Sequence, residues 1–370
     1  MLSWGDEYPI HQSPEPVAYA GSDRNFYDRY FFNGYSPDGS VFFGGAFGVY
    51  PHLNIMDGAI SILKDGRQSS VFLSRPLGME RMDTRVGGLS VEVIEPMRSI
   101  RLKLEETEGL ALDVTFDGRA FPIEEPRFTH RQGPRMLIDC TRMTQNGSWT
   151  GTLRRDGETV EIDGRTWRGT RDRSWGVRPI GAQDPQPLVP AQLPQYYWIW
   201  TPLNFPDRAV YFHVNDDAAG LAWNTRAKVV PDGAGAHDQV EMATCSASVA
   251  FAPGTRRAAK ANLTFTDRQG RGLGVELTPI QTFQMKGLGY GHAVYRHGAY
   301  QGETLSVARE DWVPSDLAWN TPEDLHIQAI SHAVLTDETG TRLEGMGSFE
   351  QLFIGPHAPS GWTDILDAAP

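Results

Sequence analysis

One short segment concentrates side chains suited to acid–base chemistry. Residues 169–179 contain an aspartate between two arginines, followed by a tryptophan. As a β-strand, the segment would place Arg171, Arg173 and Trp175 on one face and Asp172 on the other, because successive side chains alternate. An enclosed apolar environment would raise the pKa of Asp172 and make it a proton donor. An arginine from another strand would instead make it part of a structural ion pair.

Tryptophans are candidates to complete such a site. Nine of the ten lie at or beyond Trp149, and Trp175, Trp198 and Trp200 lie near a proline-rich stretch. Aromatic faces stabilise developing positive charge by ~0.5–2 kcal/mol per ring. We therefore predict that Trp175 acts with Asp172 and that Trp198 and Trp200 contact a substrate. The alternative is that these rings only fill β-cores.

Polar candidates also occur in other strands. His213 shares a strand face with Tyr211, and the two are predicted to line a pocket, His213 as a catalytic group; a lone core histidine is the alternative. Glu350, in the last strand, is a candidate second acid or the partner of an arginine such as Arg178. We predict that Tyr211, Arg178 and Glu350 contact substrate. The alternative for Glu350 is an outward-facing glutamate on a half-solvated strand.

The spacing of possible ligands predicts no metal site and no cofactor. His326 and His332 would lie about 20 Å apart along a strand, and Cys140 and Cys245 occur in separate runs. The glycine-rich run at residues 287–291 lacks the lysine and the strand–helix context of a nucleotide loop.

Composition narrows the classes of partner. The 370 residues include 34 Lys and Arg against 46 Asp and Glu, a net charge of −12. Such a chain lacks the basic surface of a nucleic-acid binder and the polybasic attraction to anionic membranes. No apolar run approaches 18 residues and the N-terminus does not resemble a secretory signal, so we expect no membrane span and a cytoplasmic location. An apolar small molecule is the expected partner, and the oligomeric state is left open.

Short runs rich in β-branched and aromatic residues, punctuated by Gly and Pro, predict consecutive antiparallel strands. Hairpins are predicted within residues 59–73 and 159–167, both around Asp-Gly turns, and within residues 325–354. So many strands require closure into barrels or sandwiches to hide their edges. The fold class is therefore predicted to be all-β.

A proline-rich segment divides the chain near its midpoint. Residues 180–195 contain four prolines and few β-branched residues, which is typical of an extended linker. We predict an N-terminal β domain at 1–180, a linker at 181–195 and a C-terminal β domain at 196–370.

The run around Asp172, Trp175 and Gly176, together with the closing strand at residues 345–350, resembles the carotenoid 1,2-hydratase (hydroxyneurosporene synthase) superfamily. The resemblance implies two lipocalin-like, calycin-type antiparallel β domains, and relatives that include decalin-forming Diels–Alderases. In the hydratases the aspartate of this motif is the proposed acid that protonates an alkene. By resemblance that role falls on Asp172, and the motif's aromatic position falls on Trp175.

Two positions of the motif differ from the hydratases. Thr170 stands where a tyrosine is usual, and Arg173 stands where a histidine commonly follows the aspartate. The arginine-containing version is more similar to a bacterial branch of the superfamily.

The leading hypothesis is a cofactor-free hydratase, isomerase or cyclase for a terpenoid, polyketide or steroid-like substrate bound between the two domains. It would act by proton donation from Asp172 or by holding the substrate in a reactive geometry. The first alternative is a carrier that binds a lipophilic molecule unchanged. A carbohydrate-active protein ranks last, because it needs two carboxylates ~5–10 Å apart and no such pair is indicated.

Overall fold

The computed structural model describes residues 7–8, 20–183, 186 and 193–369. In this part of the chain the regular structure is almost entirely β-strand, and the all-β prediction is confirmed. Two compact units are formed, one by the described residues of Met1–Ala191 and Lys286–Trp312, the other by those of Gln192–Met285 and Val313–Pro370. The linker at 181–195, which lies partly outside the described residues, and the domain bounds around it stay predictions.

The described residues of the first unit form a 14-stranded antiparallel sheet that curves into a half-barrel. Its strands are β1 (Phe26–Tyr35), β2 (Val41–Tyr50), β3 (Ile55–Lys64), β4 (Arg67–Pro76), β5 (Arg85–Val86), β6 (Leu89–Glu95), β7 (Ser99–Thr107), β8 (Leu110–Gly118), β9 (Ile123–Glu124), β10 (Phe128–Gln132), β11 (Arg135–Arg155), β12 (Glu158–Ile162), β13 (Arg168–Val177) and β20 (Ser306–Trp312). Their order is β20-β4-β3-β2-β1-β13-β11-β8-β7-β6-β5, and β9, β10 and β12 pair with β11.

The second unit, over its described residues, is a closed barrel of eight strands. These are β14 (Tyr196–Asn204), β15 (Arg208–Asp216), β16 (Ala222–Pro231), β17 (Val240–Phe251), β18 (Ala258–Asp267), β19 (Gly272–Gln284), β21 (Ile327–Asp337) and β22 (Arg342–Ile354). The barrel closes where β14 pairs with β22. Short 3₁₀ turns occur at Pro51–Leu53, Met285–Leu288, Pro314–Asp316, Pro322–Asp324 and Ala358–Ser360. None of the helical segments seen in the described residues has the length and apolarity needed to cross a bilayer.

Each face of the central strands of the first unit is buried, which explains their near-continuous apolar runs. On β1, Tyr30 and Phe32 enter the hydrophobic core, where the Trp149 ring lies 6.0 Å from Phe32. We call this the core face. The other face of the same sheet carries Arg29 and Asp172, and we call it the Asp172 face.

Two of the three predicted hairpins are confirmed. β3 and β4 pair around Asp65 and Gly66, both with positive φ, as a two-residue Asp-Gly turn requires. β21 and β22 form the long closing hairpin.

The hairpin predicted within residues 159–167 is wrong. Instead, β12 pairs back onto β11 around Asp156 and Gly157. The Asp163 carbonyl accepts hydrogen bonds from the amides of Thr166 and Trp167, each at 2.9 Å, so the chain turns tightly there and makes no strand. The next strand, β13, begins at Arg168 and pairs with β1 and β11.

Candidate active site

Asp172 lies in the middle of β13 and is buried, with 7% of its surface exposed. Because β13 is central, the register sets Asp172 beside Phe31 of β1 on one side and Thr144 of β11 on the other. Arg171 and Arg173 belong to the core face, as strand alternation predicts. Asp172 is therefore separated by the sheet itself from the two arginines next to it in sequence.

The arginines that flank Asp172 have carboxylate partners on the core face. Arg171 makes a bidentate contact with Glu7, with Nη1–Oε1 at 2.5 Å and Nη2–Oε2 at 2.8 Å. Arg173 donates to the carboxylate of Asp28 and has its guanidinium 6.0 Å from the ring of Trp175. Both arginines are fully buried, so both ion pairs are structural: neither partner can be removed without leaving a buried charge.

Residues directly opposite one another on neighbouring strands form rows across the Asp172 face. The row next to that of Asp172 contains two charged residues. Arg29 of β1, Gly48 of β2 and Asp57 of β3 are directly paired across neighbouring strands. Arg29 also pairs with Ser174, which places it diagonally from Asp172. Diagonal neighbours on a sheet are ~7–8 Å apart, within reach of a long side chain. The Asp172 face therefore carries the carboxyls of Asp172 and Asp57 and the guanidinium of Arg29, with Gly48 between Arg29 and Asp57.

Asp57 is held by two neutral donors. Its carboxylate accepts from the Tyr50 hydroxyl at 3.0 Å and from the Gly298 amide at 2.7 Å. Burial raises the pKa of Asp57 to about 6, although these donors and the charges of Arg29 and Arg178 act to lower it. A cavity of about 20 Å³, room for about one water, adjoins this carboxyl.

Arg178 lies just beyond β13 and joins the same face. Its guanidinium stacks over the ring of Tyr27 at 4.3 Å, and its Nη2 lies 3.1 Å from Nδ1 of His297. Nε2 of His297 lies 2.9 Å from the carbonyl of Leu288. Because a guanidinium can only donate and a carbonyl can only accept, His297 accepts at Nδ1 and donates at Nε2. His297 is thus a neutral partner for Arg178.

In the second unit, Glu350 of β22 is the centre of a buried polar network. Its carboxylate accepts from Nε1 of Trp198 at 2.7 Å and from Nε2 of Gln328 at 2.7 Å, and it lies 2.9 Å from Nε2 of His326. Burial acts to raise the pKa of Glu350, but the charge of His326 and the three donors outweigh burial and lower it. Glu350 is therefore an anion at neutral pH, suited to accept a hydrogen bond from His326 and to orient its ring.

His213 lies close to this network. Its Nε2 is 2.8 Å from Oδ1 of Asn224, and its ring is 5.9 Å from that of Trp198. Trp200 stands in the register between His213 on β15 and Glu350 on β22. The outward face of the second unit's barrel thus carries two imidazoles, a carboxylate and two indoles.

The eight residues predicted from sequence fall into two groups. Five lie together on the outward face of β14, β15 and β22 in the second unit: Trp198, Trp200, Tyr211, His213 and Glu350. The other three belong to the first unit: Asp172, Trp175 and Arg178. Of these, Trp175 occupies the face of β13 opposite to Asp172, so the ring beside the Asp172 position is Phe31.

Several polar residues of these sites were missed from sequence. Arg29 gave a usable signal, because a charge inside the aromatic run of β1 is unusual for a buried strand. In the sequence His326 is indicated only as a possible metal ligand, and neither Gln328 nor Asp57 is distinguished from other strand residues. Within the residues that the structure describes, no three His, Cys, Asp or Glu side chains are grouped to hold a metal ion.

The half-barrel sheet and the closed barrel define a two-domain lipocalin-like β protein. The chain belongs to a family described as a family of unknown function (DUF8625), whose profile matches residues 2–363. No curated protein matches the chain.

Solved structures share this fold at low sequence identity. A candidate AttH from Nitrosomonas europaea is 14% identical with a TM-score of 0.51, over 92% of this chain and 96% of that one. Kievitone hydratase from Nectria haematococca is 11% identical with a TM-score of 0.52, over 88% of each chain. CghA, solved with Sch210972, is 9% identical with a TM-score of 0.52, over 89% of each. At these identities the likeness establishes the fold.

Proposed function

We propose that this protein is a cofactor-free enzyme that hydrates, isomerises or cyclises an apolar small molecule of the terpenoid, polyketide or steroid-like class. Asp172 is the proposed proton donor. The observation that carries the proposal is the burial of Asp172 in a central strand, on the face opposite to the ion-paired Arg171 and Arg173. The fold shared with kievitone hydratase, whose name states a hydration, supports it.

Protonating a carbon–carbon double bond requires a neutral acid in a site from which water is excluded. Burial favours the neutral form of a carboxyl, and the register sets Phe31 and Ala46 in the same row as Asp172. An aromatic ring beside the acid stabilises the carbocation that protonation creates. The role of Trp175 in catalysis remains a prediction, from the opposite face of the strand.

The second unit has a proton-handling group of its own in the Glu350 network. In the proposal the Glu350 carboxylate fixes His326, and His213 is a further acid or base. Trp198, Trp200 and Tyr211 offer aromatic surface to substrate beside them. Orientation of an imidazole by a buried carboxylate is a general device for proton transfer.

Incubation with kievitone and a panel of terpenoid alkenes, followed by mass spectrometry, tests the proposal. A product heavier by one water indicates hydration, and a product of equal mass with altered retention indicates isomerisation or cyclisation. Asp172→Asn should reduce turnover about 100-fold or more while binding is retained, because general acid catalysis contributes ~10²–10⁴-fold.

The matched control is Asp113→Asn, which alters a surface aspartate paired with Arg101 and should leave turnover unchanged. Full activity in Asp172→Asn would reject Asp172 as the acid. Recovery of one ligand unchanged after long incubation would favour the carrier alternative.

A further inference from the structure

Three arginines are buried in β1 and β13, and their partners differ. Arg171 and Arg173, on the core face, are paired with the carboxylates of Glu7 and Asp28. Arg29, on the Asp172 face, is only 2% exposed, yet no carboxylate among the described residues forms an ion pair with it. An arginine side chain keeps its charge in proteins, so Arg29 is a buried cation without a direct ion pair, and the Asp57 carboxyl in its row attracts it only at longer range.

The hydrogen bonds of Arg29 are also incomplete. Nη2 donates to the carbonyl of Leu288 at 3.2 Å, and the guanidinium lies over the ring of Tyr290 at 4.4 Å. Nε and Nη1 are buried and have no hydrogen-bond partner in the part of the chain that the structure describes. A buried donor without an acceptor is costly, and a bound water, ion or ligand that accepts from it removes that cost.

The groups around Arg29 do not accept hydrogen bonds from its Nε and Nη1. Arg178 lies 5.7 Å from the same Tyr290 ring and contacts His297 through a neutral ring nitrogen. Asp57, in the same row as Arg29, already accepts from a tyrosine hydroxyl and a backbone amide. Two guanidiniums thus converge on one ring, and an anion that accepted from Nε and Nη1 would complete the hydrogen bonds of Arg29.

We propose that Arg29 binds an oxyanion of the substrate, such as a carboxylate. The substrate is then an apolar molecule with an acidic head group. This inference rests on the proposed function in one respect, since both place the ligand on the Asp172 face, but anion binding does not require the chemistry of Asp172. The apolar body would lie over Phe31 and Ala46, which share a row with Asp172 and are each 2% exposed, so the cavity of about 20 Å³ beside Ala46 must widen when substrate binds.

The spacing of the rows adds a restriction on the substrate. Arg29 and Asp172 lie in adjacent rows of the same face, two residues apart along the strands, which is about 7 Å at ~3.3 Å per residue. If Arg29 holds the oxyanion of the substrate, the substrate atoms about five bonds from that oxyanion would therefore lie beside Asp172. The proposal accordingly favours substrates whose reactive double bond lies a few carbons from the acidic group.

Calorimetric binding of octanoate and octanamide tests this proposal, because the two probes differ in charge and share an apolar chain. Wild type should bind octanoate at least tenfold more tightly than octanamide, equivalent to ~1.4 kcal/mol. In Arg29→Met that preference should disappear while octanamide affinity stays within about twofold of wild type. Arg29→Lys, which keeps the charge but loses the planar fork, should retain part of the preference.

Arg101→Met is the matched control, since it removes a surface cation of the same unit and should leave the preference intact. Equal affinity of wild type for both probes, no octanoate binding at millimolar concentrations, or an undiminished preference in Arg29→Met would overturn the proposal. If Arg29→Met does not fold, the wild-type comparison and Arg29→Lys decide. Asp172→Asn should bind octanoate like wild type, so loss of the anion site and loss of the acid are separate results.

Discussion

Asp57 in the first unit and Glu350 in the second are carboxyls on β-strands, and each accepts hydrogen bonds from side-chain or backbone donors. Burial acts to raise both pKa values, yet the pKa of Asp57 rises to about 6 and that of Glu350 falls. The difference lies in the partners. Asp57 is contacted by neutral donors, whereas Glu350 is contacted by an imidazole that can carry a positive charge. For Glu350, the charge of the contacting His326 and the hydrogen bonds outweigh the effect of burial on the pKa. For Asp57, the more distant charges of Arg29 and Arg178 do not.

Asp57 and Glu350 are therefore suited to different chemical roles. With a pKa of about 6, Asp57 is close to half-protonated in mildly acidic solution and can exchange a proton. Glu350 stays ionised and can only accept hydrogen bonds or stabilise a neighbouring cation. Similar residue types in similar strands therefore provide a titratable group in one unit and a fixed anion in the other.

The largest effect is expected from Glu350→Leu. Loss of the carboxylate leaves buried donors of Trp198, Gln328 and His326 without their acceptor, and the free energy of unfolding should fall by about 3–5 kcal/mol. Denaturant unfolding measures this. The matched control is Glu344→Leu, an exposed position of the same strand, where a change below ~0.5 kcal/mol is expected. Equal effects at both positions would contradict the network described for Glu350.

An intermediate effect is expected in the pH dependence of stability. The folded pKa of Asp57 lies above its ordinary value of 3.8, so the folded state binds more protons between pH 3.8 and about 6, and stability falls as pH rises through that window. The loss should be about 2 kcal/mol. In Asp57→Asn this loss should be absent when unfolding is followed from pH 4 to pH 7.

The opposite slope is expected for Glu350. Its folded pKa is lowered, so its contribution is present above the ordinary value of 4.5 and is lost as pH falls through the folded pKa. Glu350→Gln should therefore flatten the acid side of the stability profile. The contrast between the two carboxyls would be contradicted if Asp57→Asn and Glu350→Gln changed the slope of stability against pH in the same direction.

The smallest effect is expected from Tyr50→Phe, which removes a donor to Asp57. A hydrogen bond to a charged acceptor favours the ionised form, so its loss should raise the pKa of Asp57 further, by an amount equivalent to about 1 kcal/mol. NMR titration of the carboxyl measures the change. Tyr300→Phe, at an exposed tyrosine bonded to Glu303, is the control and should leave Asp57 unaffected.

The contrast between two Asp-Gly pairs shows how far sequence predicts this fold. Asp65 and Gly66 form the predicted turn because the strands on both sides have matching lengths and pair residue for residue. Asp163 and Gly164 do not, because an earlier Asp-Gly pair already turns β12 onto β11. Local composition identifies turn-forming dipeptides, whereas the choice between neighbouring ones depends on which strands find partners.

The same limit applies to the site. Alternation along β13 correctly separates Asp172 from Arg171 and Arg173, because that property is local. The placement of Arg29 and Asp57 in one row depends on the registers of three different strands, and no single segment encodes it. Sequence therefore identifies chemically suitable residues but not the neighbours that set their charge state.

The return of residues 286–312 to the first unit has a consequence for synthesis of the chain. β20 pairs with β4, and Ser69 bonds to Asp311 across 242 residues of sequence. Six strands of the second unit, β14 to β19, are synthesised before β20. Until β20 emerges from the ribosome, the edge of β4 that faces away from β3 has no strand partner for its backbone groups. Exposed edges of this kind promote association with other nascent chains. We therefore expect the yield of native protein to depend on translation rate and chaperone capacity.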